Sequence, residues 1–186
     1  MNRFYFAYGS NMNPDRIRER IPMAREVGTA FIIGWRLKER LYADIERSRG
    51  GRVDGVLYLL TPTEMHRLDA YEGYPHTYCC AELDAIIDPE HKVSAFTYVL
   101  TDAAKRAREG QKYPESYRLI CSDGAQWHGI RDAFRRKDDP PFLQTRERRL
   151  WSPPAQGSAT WADVAAVGAK RNAGGAKKPA KKESKK

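Results

Sequence analysis

The stretch Tyr5-Phe6-Ala7-Tyr8-Gly9-Ser10-Asn11 joins two opposite kinds of sequence. Its first half is apolar and aromatic, which suits a buried strand because bulky rings pack well on a pleated surface. Its second half is made of turn-formers. Glycine tolerates backbone conformations that other residues resist, and Ser and Asn side chains bond nearby backbone groups. Asn13-Pro14 follows as a helix start, with Asn capping and Pro at the first helical position. Strand, tight turn and helix start aim several N–H groups at one spot, and such a spot attracts a carboxylate or a developing oxyanion. Taken alone, Gly-Ser-Asn also reads as a bare connection.

Outward from this turn, residues 14–21 form a short helix with Ile17 and Ile21 on one face, and Pro22 ends it. Residues 26–38 are rich in β-formers, and Gly28 and Gly34 interrupt them as bends or bulges of a strongly curved sheet or small barrel. Arg47-Ser48-Arg49-Gly50-Gly51-Arg52 is expected to be a flexible loop, and residues 53–60 a central strand. Thr61-Pro62-Thr63-Glu64 has the form of a capping box, and the helix it starts should stop at Gly73, with Pro75 beyond. Residues 78–87 and 93–100 read as a hairpin around the turn cluster 88–92. Residues 105–111 are polar and exposed in character. Helices are expected from Pro114 to near Gly124 and again over residues 126–134, followed by a charged surface connection to residue 150. The elements lack a regular β-α-β alternation, which indicates an α+β fold with a curved mixed sheet.

The net charge of +9 is unevenly placed. Residues 155–186 hold eight Lys or Arg against Asp163 and Glu183, so the tail carries most of it and the body is nearly balanced. Ala-Lys-Lys-Pro repeats bury too little apolar surface to order themselves, which divides the chain into a body at 1–150 and a low-complexity, disordered basic tail at 151–186. Clustered lysines of this kind support weak, non-specific polyanion binding. Cys79, Cys80 and Cys121 form neither a disulfide framework nor a metal-binding spacing, and a reducing cytosol is the expected setting. No signal peptide and no apolar run of about eighteen residues is apparent, so no membrane association is expected. The oligomeric state is left open.

Several chemistries are absent by pattern. Ser10 lacks the surroundings of a nucleophile elbow, no phosphate loop or dinucleotide fingerprint occurs, and the four histidines have no metal spacing. His66 and His76 read as surface residues. Cys79 and Cys80 alternate across a strand, so at least one is expected in the core, with no basic neighbour to activate it. The remaining candidate is Leu68-Asp69-Ala70-Tyr71-Glu72-Gly73-Tyr74. Glu72 stands at a helix C-terminus, where the dipole disfavours a carboxylate, and Tyr71 and Tyr74 are positioned to desolvate it. Both effects raise a carboxyl pKa toward the range useful for proton transfer. Read without function, Glu72 is an exposed residue or a partner of nearby backbone. Asp69 is the rival carboxylate.

The heptapeptide at residues 5–11 resembles the N-terminal signature of the γ-glutamylcyclotransferases, whose chains open with a Tyr-Gly-Ser-Asn turn. Glu72-Gly73 is similar to a Glu-Gly pair after the family's Leu-Asp helix end, and residues 114–125 are similar to a segment with a Pro-rich entry, a Tyr and an apolar helix running into Gly-Ala. The resemblance implies a small mixed β-barrel flanked by helices and a cyclisation of γ-glutamyl compounds to 5-oxoproline, without metal or cofactor. It implies Glu72 as acid/base, substrate binding by Phe6, Ala7, Tyr8, Gly9, Ser10 and Asn11, and a substrate contact from Tyr117. Family branches acting on glutathione tend to carry Gly-Ser-Leu in the first turn and those acting on γ-glutamylamines Gly-Thr-Leu, so Gly9-Ser10-Asn11 leans toward γ-glutamyl amino acids. A binding module that keeps the pocket without turnover is the alternative.

Overall fold

The computed structural model describes residues 1–139. The expected Lys-rich tail and most of the charged connection lie outside the described residues. Strand β1 (Arg3–Ala7) leads through a 3-10 turn (Ser10–Met12) into helix α1 (Pro14–Arg20). A long hairpin follows, β2 (Arg25–Arg40) and β3 (Tyr42–Leu60), then helix α2 (Pro62–Glu72). A second hairpin, β4 (Tyr78–Asp88) and β5 (His91–Leu100), precedes α3 (Asp102–Arg108) and α4 (Glu115–Trp127).

The strands close into a barrel in the order β1-β3-β2-β4-β5. The pairings are antiparallel except where β1 meets β5 in parallel, with Phe4 opposite Ala95 and Tyr5 opposite Phe96. Closure removes the free sheet edge and encloses the core. The aromatic run of β1 therefore lies in the middle of the core, with Phe4, Tyr5, Phe6 and Ala7 all buried. This is the expected mixed α+β barrel with flanking helices.

The local signals are realised with a few shifts. Asn13 caps α1, its Oδ1 accepting from the N–H groups of Asp15 (3.0 Å) and Arg16 (3.1 Å). At α2 the Thr61 N–H donates to Glu64 Oε2 at 2.6 Å, the Glu64 N–H donates to Thr61 Oγ1, and Gly73 ends the helix in a left-handed conformation. The β2–β3 register slips at Gly28 and Gly34, as bulges in a curved sheet require.

Two expectations need correction. The basic segment 47–52 is part of β3, not a free loop. Trp35 pairs with Arg47 and Ile33 with Arg52, so residues 48–51 bulge opposite Gly34. The flanking guanidinium groups lie 4.0 Å over Trp35 (Arg47) and 3.7 Å over Phe31 (Arg52), cation–π contacts that favour strand pairing for polar residues. Residues 105–111 are polar and largely exposed as expected, and α3 occupies most of the stretch with Thr101 as its cap. The second helix at 126–134 does not form: α4 passes through Gly124 to Trp127, and beyond it Asp132 Oδ1 accepts from the N–H groups of Phe134 and Arg135. Such side-chain turns compete directly with helix formation.

Gly124 stays inside α4 because the helix packs backbone to backbone on the first turn. A Cβ there would lie 2.5 Å from the Asn13 nitrogen and 2.7 Å from the Met12 carbonyl carbon. Two polar contacts reinforce this packing: Asn13 Nδ2 donates to Asp123 Oδ2 at 3.1 Å, and His128 Nε2 lies 2.9 Å from the Met12 carbonyl oxygen.

A polar anchor of the barrel is Asp44 on β3, whose side chain is wholly buried. Its Oδ1 accepts from the Leu100 N–H (2.9 Å) and its Oδ2 from Arg40 Nη1 (2.9 Å), while Arg40 also reaches Glu46 and Glu109. Burial pushes the Asp44 carboxyl up from its ordinary value in spite of these donors. Removing one member of a buried charge network leaves the others uncompensated. Asp44→Ala is therefore expected to lower unfolding stability by about 3 kcal/mol, read as a fall in the urea midpoint with an unchanged slope.

Candidate active site

The first turn, the end of α2 and the face of α4 meet at one pocket. Tyr8, Gly9, Ser10 and Asn11 form one wall, with Ala43 of β3 beside them. Tyr5, Tyr78, Tyr98 and Tyr117 form the others, and Glu72 completes the lining. The space is about 300 Å³ including its open mouth, which suits a small metabolite rather than a polymer.

Glu72 is the last residue of α2, and only 14% of its side chain is exposed. Its Oε1 accepts from Asn11 Nδ2 at 3.0 Å and from Arg20 Nη1 at 3.0 Å. Among the described residues nothing donates to Oε2, which is left to a ligand. Burial pushes the Glu72 carboxyl up from its ordinary value, against the lowering by Arg20, Asn11 and Arg16. A carboxyl pushed up in this way accepts a proton more readily than an exposed one.

The desolvation comes from a different source than expected. Tyr71 and Tyr74 are exposed (56% and 45%), and Tyr71 stacks instead under the Arg20 guanidinium at 5.5 Å. The tyrosines that share the pocket with Glu72 come instead from the strands and from α4. Asp69, the rival, accepts the Tyr98 hydroxyl at 2.6 Å. It serves as an anchor for that ring.

Gly9, Ser10 and Asn11 line the pocket, and Tyr8 does so with its hydroxyl donating to the Tyr98 carbonyl at 2.6 Å. The N–H groups of Ser10 and Asn11 take no part in the hydrogen bonds of the 3-10 turn, which run from Met12 to Gly9 and from Asn13 to Ser10. Gly9 has φ −125°, so close approach and not a left-handed conformation explains the residue. A Cβ there would lie 3.1 Å from both the Ala43 Cβ and the Tyr117 hydroxyl. Tyr117 of α4 lines the same pocket, its hydroxyl accepting from the Ala43 N–H at 3.0 Å. Phe6 and Ala7 do not line the pocket. Both are fully buried in β1, where Phe6 accepts the Thr97 hydroxyl on its carbonyl, and they support the turn from behind.

Sequence reading missed Arg20, Tyr5, Tyr78 and Tyr98. Arg20 lies in the last turn of α1, where a cation is ordinarily read as a complement to the helix dipole. The tyrosines look like any strand aromatics, and only barrel closure turns them toward one cavity. Among the described residues no group of His, Cys, Asp or Glu gathers to hold a metal. Partial desolvation of its sulfur and the nearby Asp69 charge push the Cys80 thiol up to about 11, which makes it a poor nucleophile. Cys80 is exposed while Cys79 packs half-buried against the core, and His66 and His76 are exposed.

The family model described as "Gamma-glutamyl cyclotransferase, AIG2-like" matches residues 5–119. A solved gamma-glutamyl cyclotransferase superposes with a TM-score of 0.60 at 21% identity, covering 81% of this chain and 98% of that one. An uncharacterized protein of Homo sapiens superposes with a TM-score of 0.62 at 21% identity, covering 80% and 97%. YkqA of Bacillus subtilis gives 0.56 at 24% identity, over 72% of this chain and 51% of its own. At these identities the superpositions establish a shared fold. No curated protein matches the chain by sequence.

The electrostatics of Glu72 can be checked by titration. Arg20 is the foremost influence holding the carboxyl down, so Arg20→Met removes an opposite charge and should raise the Glu72 pKa further. Carbon-detected NMR of labelled glutamate should show the Glu72 inflection moving to higher pH in the variant. An unmoved inflection would mean that the ion pair is electrostatically idle.

Proposed function

Because the chain belongs to the gamma-glutamyl cyclotransferase, AIG2-like family, we propose that it converts a γ-glutamyl amino acid or γ-glutamylamine to 5-oxoproline by intramolecular acyl transfer, releasing the amine. The observation that carries this reading is the direct hydrogen bond between Asn11 of the first turn and Glu72 of α2, which puts an N–H-rich turn and a buried carboxylate in one pocket.

The reaction needs few protein groups, because nucleophile and electrophile belong to one molecule. The α-amine of the substrate attacks its own γ-carbonyl carbon, a five-membered lactam closes, and the bond to the leaving nitrogen breaks. An α-amino group titrates near ~8, so a partly desolvated carboxylate can take its proton at neutral pH. Glu72 Oε2 takes that proton and returns it to the leaving nitrogen, while Oε1 stays clamped by Asn11 and Arg20. The N–H groups of Ser10 and Asn11 hold the substrate's carboxylate, and Tyr117 closes the pocket over Gly9. The enzyme's contribution is to fold the substrate into a reactive conformer and to move one proton. The three free cysteines agree with action in a reducing compartment.

Glu72→Gln keeps size and can still be held by Arg20, but it cannot accept the amine proton. Release of 5-oxoproline across a panel of γ-glutamyl compounds should fall ~10²–10⁴-fold, with substrate binding by calorimetry retained. A variant within a few-fold of the unmodified enzyme would sink the assignment. Binding without release by the unmodified protein would favour a non-catalytic pocket.

The Lys-rich tail is assigned auxiliary polyanion binding. A truncation after Pro154 should leave the kinetics on small γ-glutamyl substrates unchanged. It should also abolish retention on an immobilised polyanion at low salt, because clustered lysines act through counterion release. Activity lost by a folded truncation would show that the tail contributes to catalysis.

A further inference from the structure

Five tyrosines line the pocket, and their hydroxyl groups are not equivalent. Those of Tyr8, Tyr78 and Tyr98 donate within the chain, to the Tyr98 carbonyl, the Ala43 carbonyl (3.1 Å) and Asp69 Oδ1. The hydroxyl of Tyr117 accepts from the Ala43 N–H. Tyr5 is the case in which a chain of contacts fixes the direction of the proton.

That chain starts at Arg20, which has hydrogens to give and no acceptor. Arg20 Nη1 lies 2.8 Å from one terminal atom of the Asn11 amide, so that atom is the oxygen, Oδ1. The other terminal atom is then the NH2 group, and its two hydrogens have two recipients: Glu72 Oε1 at 3.0 Å and the Tyr5 hydroxyl oxygen at 2.8 Å. An amide nitrogen cannot accept, so Tyr5 must be the acceptor in this contact. Its own O–H hydrogen is left over, and among the described residues no atom takes it. The Tyr5 side chain is buried and lines the pocket, so the hydrogen is directed at whatever the pocket holds. Burial and the nearby Glu72 charge both push the Tyr5 phenol up from its ordinary value, which keeps it protonated as a neutral donor.

We propose that Tyr5 is a catalytic residue of the reaction assigned above, its hydroxyl donating to the γ-carbonyl oxygen of the substrate and strengthening that bond as the oxygen gains charge. One amide nitrogen separates this donor from Glu72, so an oxygen held by Tyr5 keeps its carbon beside the amine whose proton Glu72 removes. The substrate carboxylate, at the other end of the molecule, falls to the turn N–H groups. The balance of the step is simple. The amine nitrogen bonds to the γ-carbon, its proton passes to Glu72 Oε2, and the carbonyl oxygen takes the negative charge under the Tyr5 hydrogen; the charge then re-forms the carbonyl as the bond to the leaving nitrogen breaks and Glu72 gives that nitrogen the proton. Tyr5 keeps its proton throughout. The energetic logic is that of a preorganised donor in a site shielded from water, which needs no rearrangement as charge develops.

The proposal rests on the cyclisation reading, and the test separates the two. Tyr5→Phe keeps the ring that packs against Phe96 and Tyr98 and removes only the hydroxyl. The expected result is a kcat for 5-oxoproline release lowered ~10²–10³-fold, with KM within about threefold and the acid limb of the pH profile unmoved. An effect exerted only through Asn11 and Glu72 would instead shift that acid limb, and would overturn the proposal. A kcat within about threefold of the unmodified enzyme would also overturn it while leaving the cyclisation reading intact. If Tyr5→Phe does not fold, 3,5-difluorotyrosine at position 5 decides, because it keeps the shape and makes the phenol a stronger donor. It should raise kcat, and an unchanged kcat counts against Tyr5. If the unmodified protein releases no 5-oxoproline from any γ-glutamyl compound, the functional reading fails and this assignment falls with it.

Discussion

The Asn11 side chain holds the site together. Its carboxamide touches three groups from three parts of the chain: Arg20 of α1, Glu72 of α2 and Tyr5 of β1. Each contact uses a different atom or hydrogen of the amide, so the group is fully engaged. Without it, Glu72 would lose one of its two donors, and nothing would set which way the Tyr5 proton faces. A buried carboxylate and a buried arginine are costly apart and tolerable as a hydrogen-bonded group, and Asn11 is the neutral bridge that makes them one.

That group depends on the turn being held rigidly, and the turn is braced from several sides. Tyr58 of β3 donates its hydroxyl to the Asn11 carbonyl at 3.2 Å. Helix α4 presses on Met12 and Asn13 through Gly124 and adds the Asp123 and His128 contacts. The same helix carries Tyr117 into the pocket. Another anchor, Arg118, is 1% exposed and donates to the Phe134 carbonyl at 2.8 Å, tying the segment beyond α4 back onto the helix. The scaffold therefore positions the site through buried polar contacts as much as through apolar packing. This is the arrangement that preorganisation requires.

The electrostatics follow from geometry. Glu72 sits at the negative end of its helix and away from water, which pushes its carboxyl up, and faces Arg20, which pulls it down. Burial outweighs the ion pair, and the carboxyl takes up a proton more readily than an exposed one. The surrounding phenols are pushed up by burial and remain neutral, so they serve as donors and walls.

Much was legible in the sequence alone, where the signal acts over a few residues. The aromatic run of β1, the Asn13-Pro14 helix start, the Thr61–Glu64 capping box, the stop at Gly73 and the bulges at Gly28 and Gly34 are all local matters of conformation and hydrogen bonding. Glu72 stood out for the same reason, as a carboxylate where its own helix disfavours one. What local signals could not decide was which distant groups meet. Residues 47–52 look like a loop until Trp35 and Phe31 on the facing strand stack on their arginines. On α4 the apolar Leu119 is 41% exposed and the charged Arg118 is buried, because Glu115 and Asp139 lie within its reach. Asn11 and Glu72 are 61 residues apart, and Arg20 and Glu72 are 52 apart. Their meeting, and with it the direction of the Tyr5 proton, was decided only by the tertiary structure, since side chains so far apart in the chain acquire a mutual geometry only when the barrel closes.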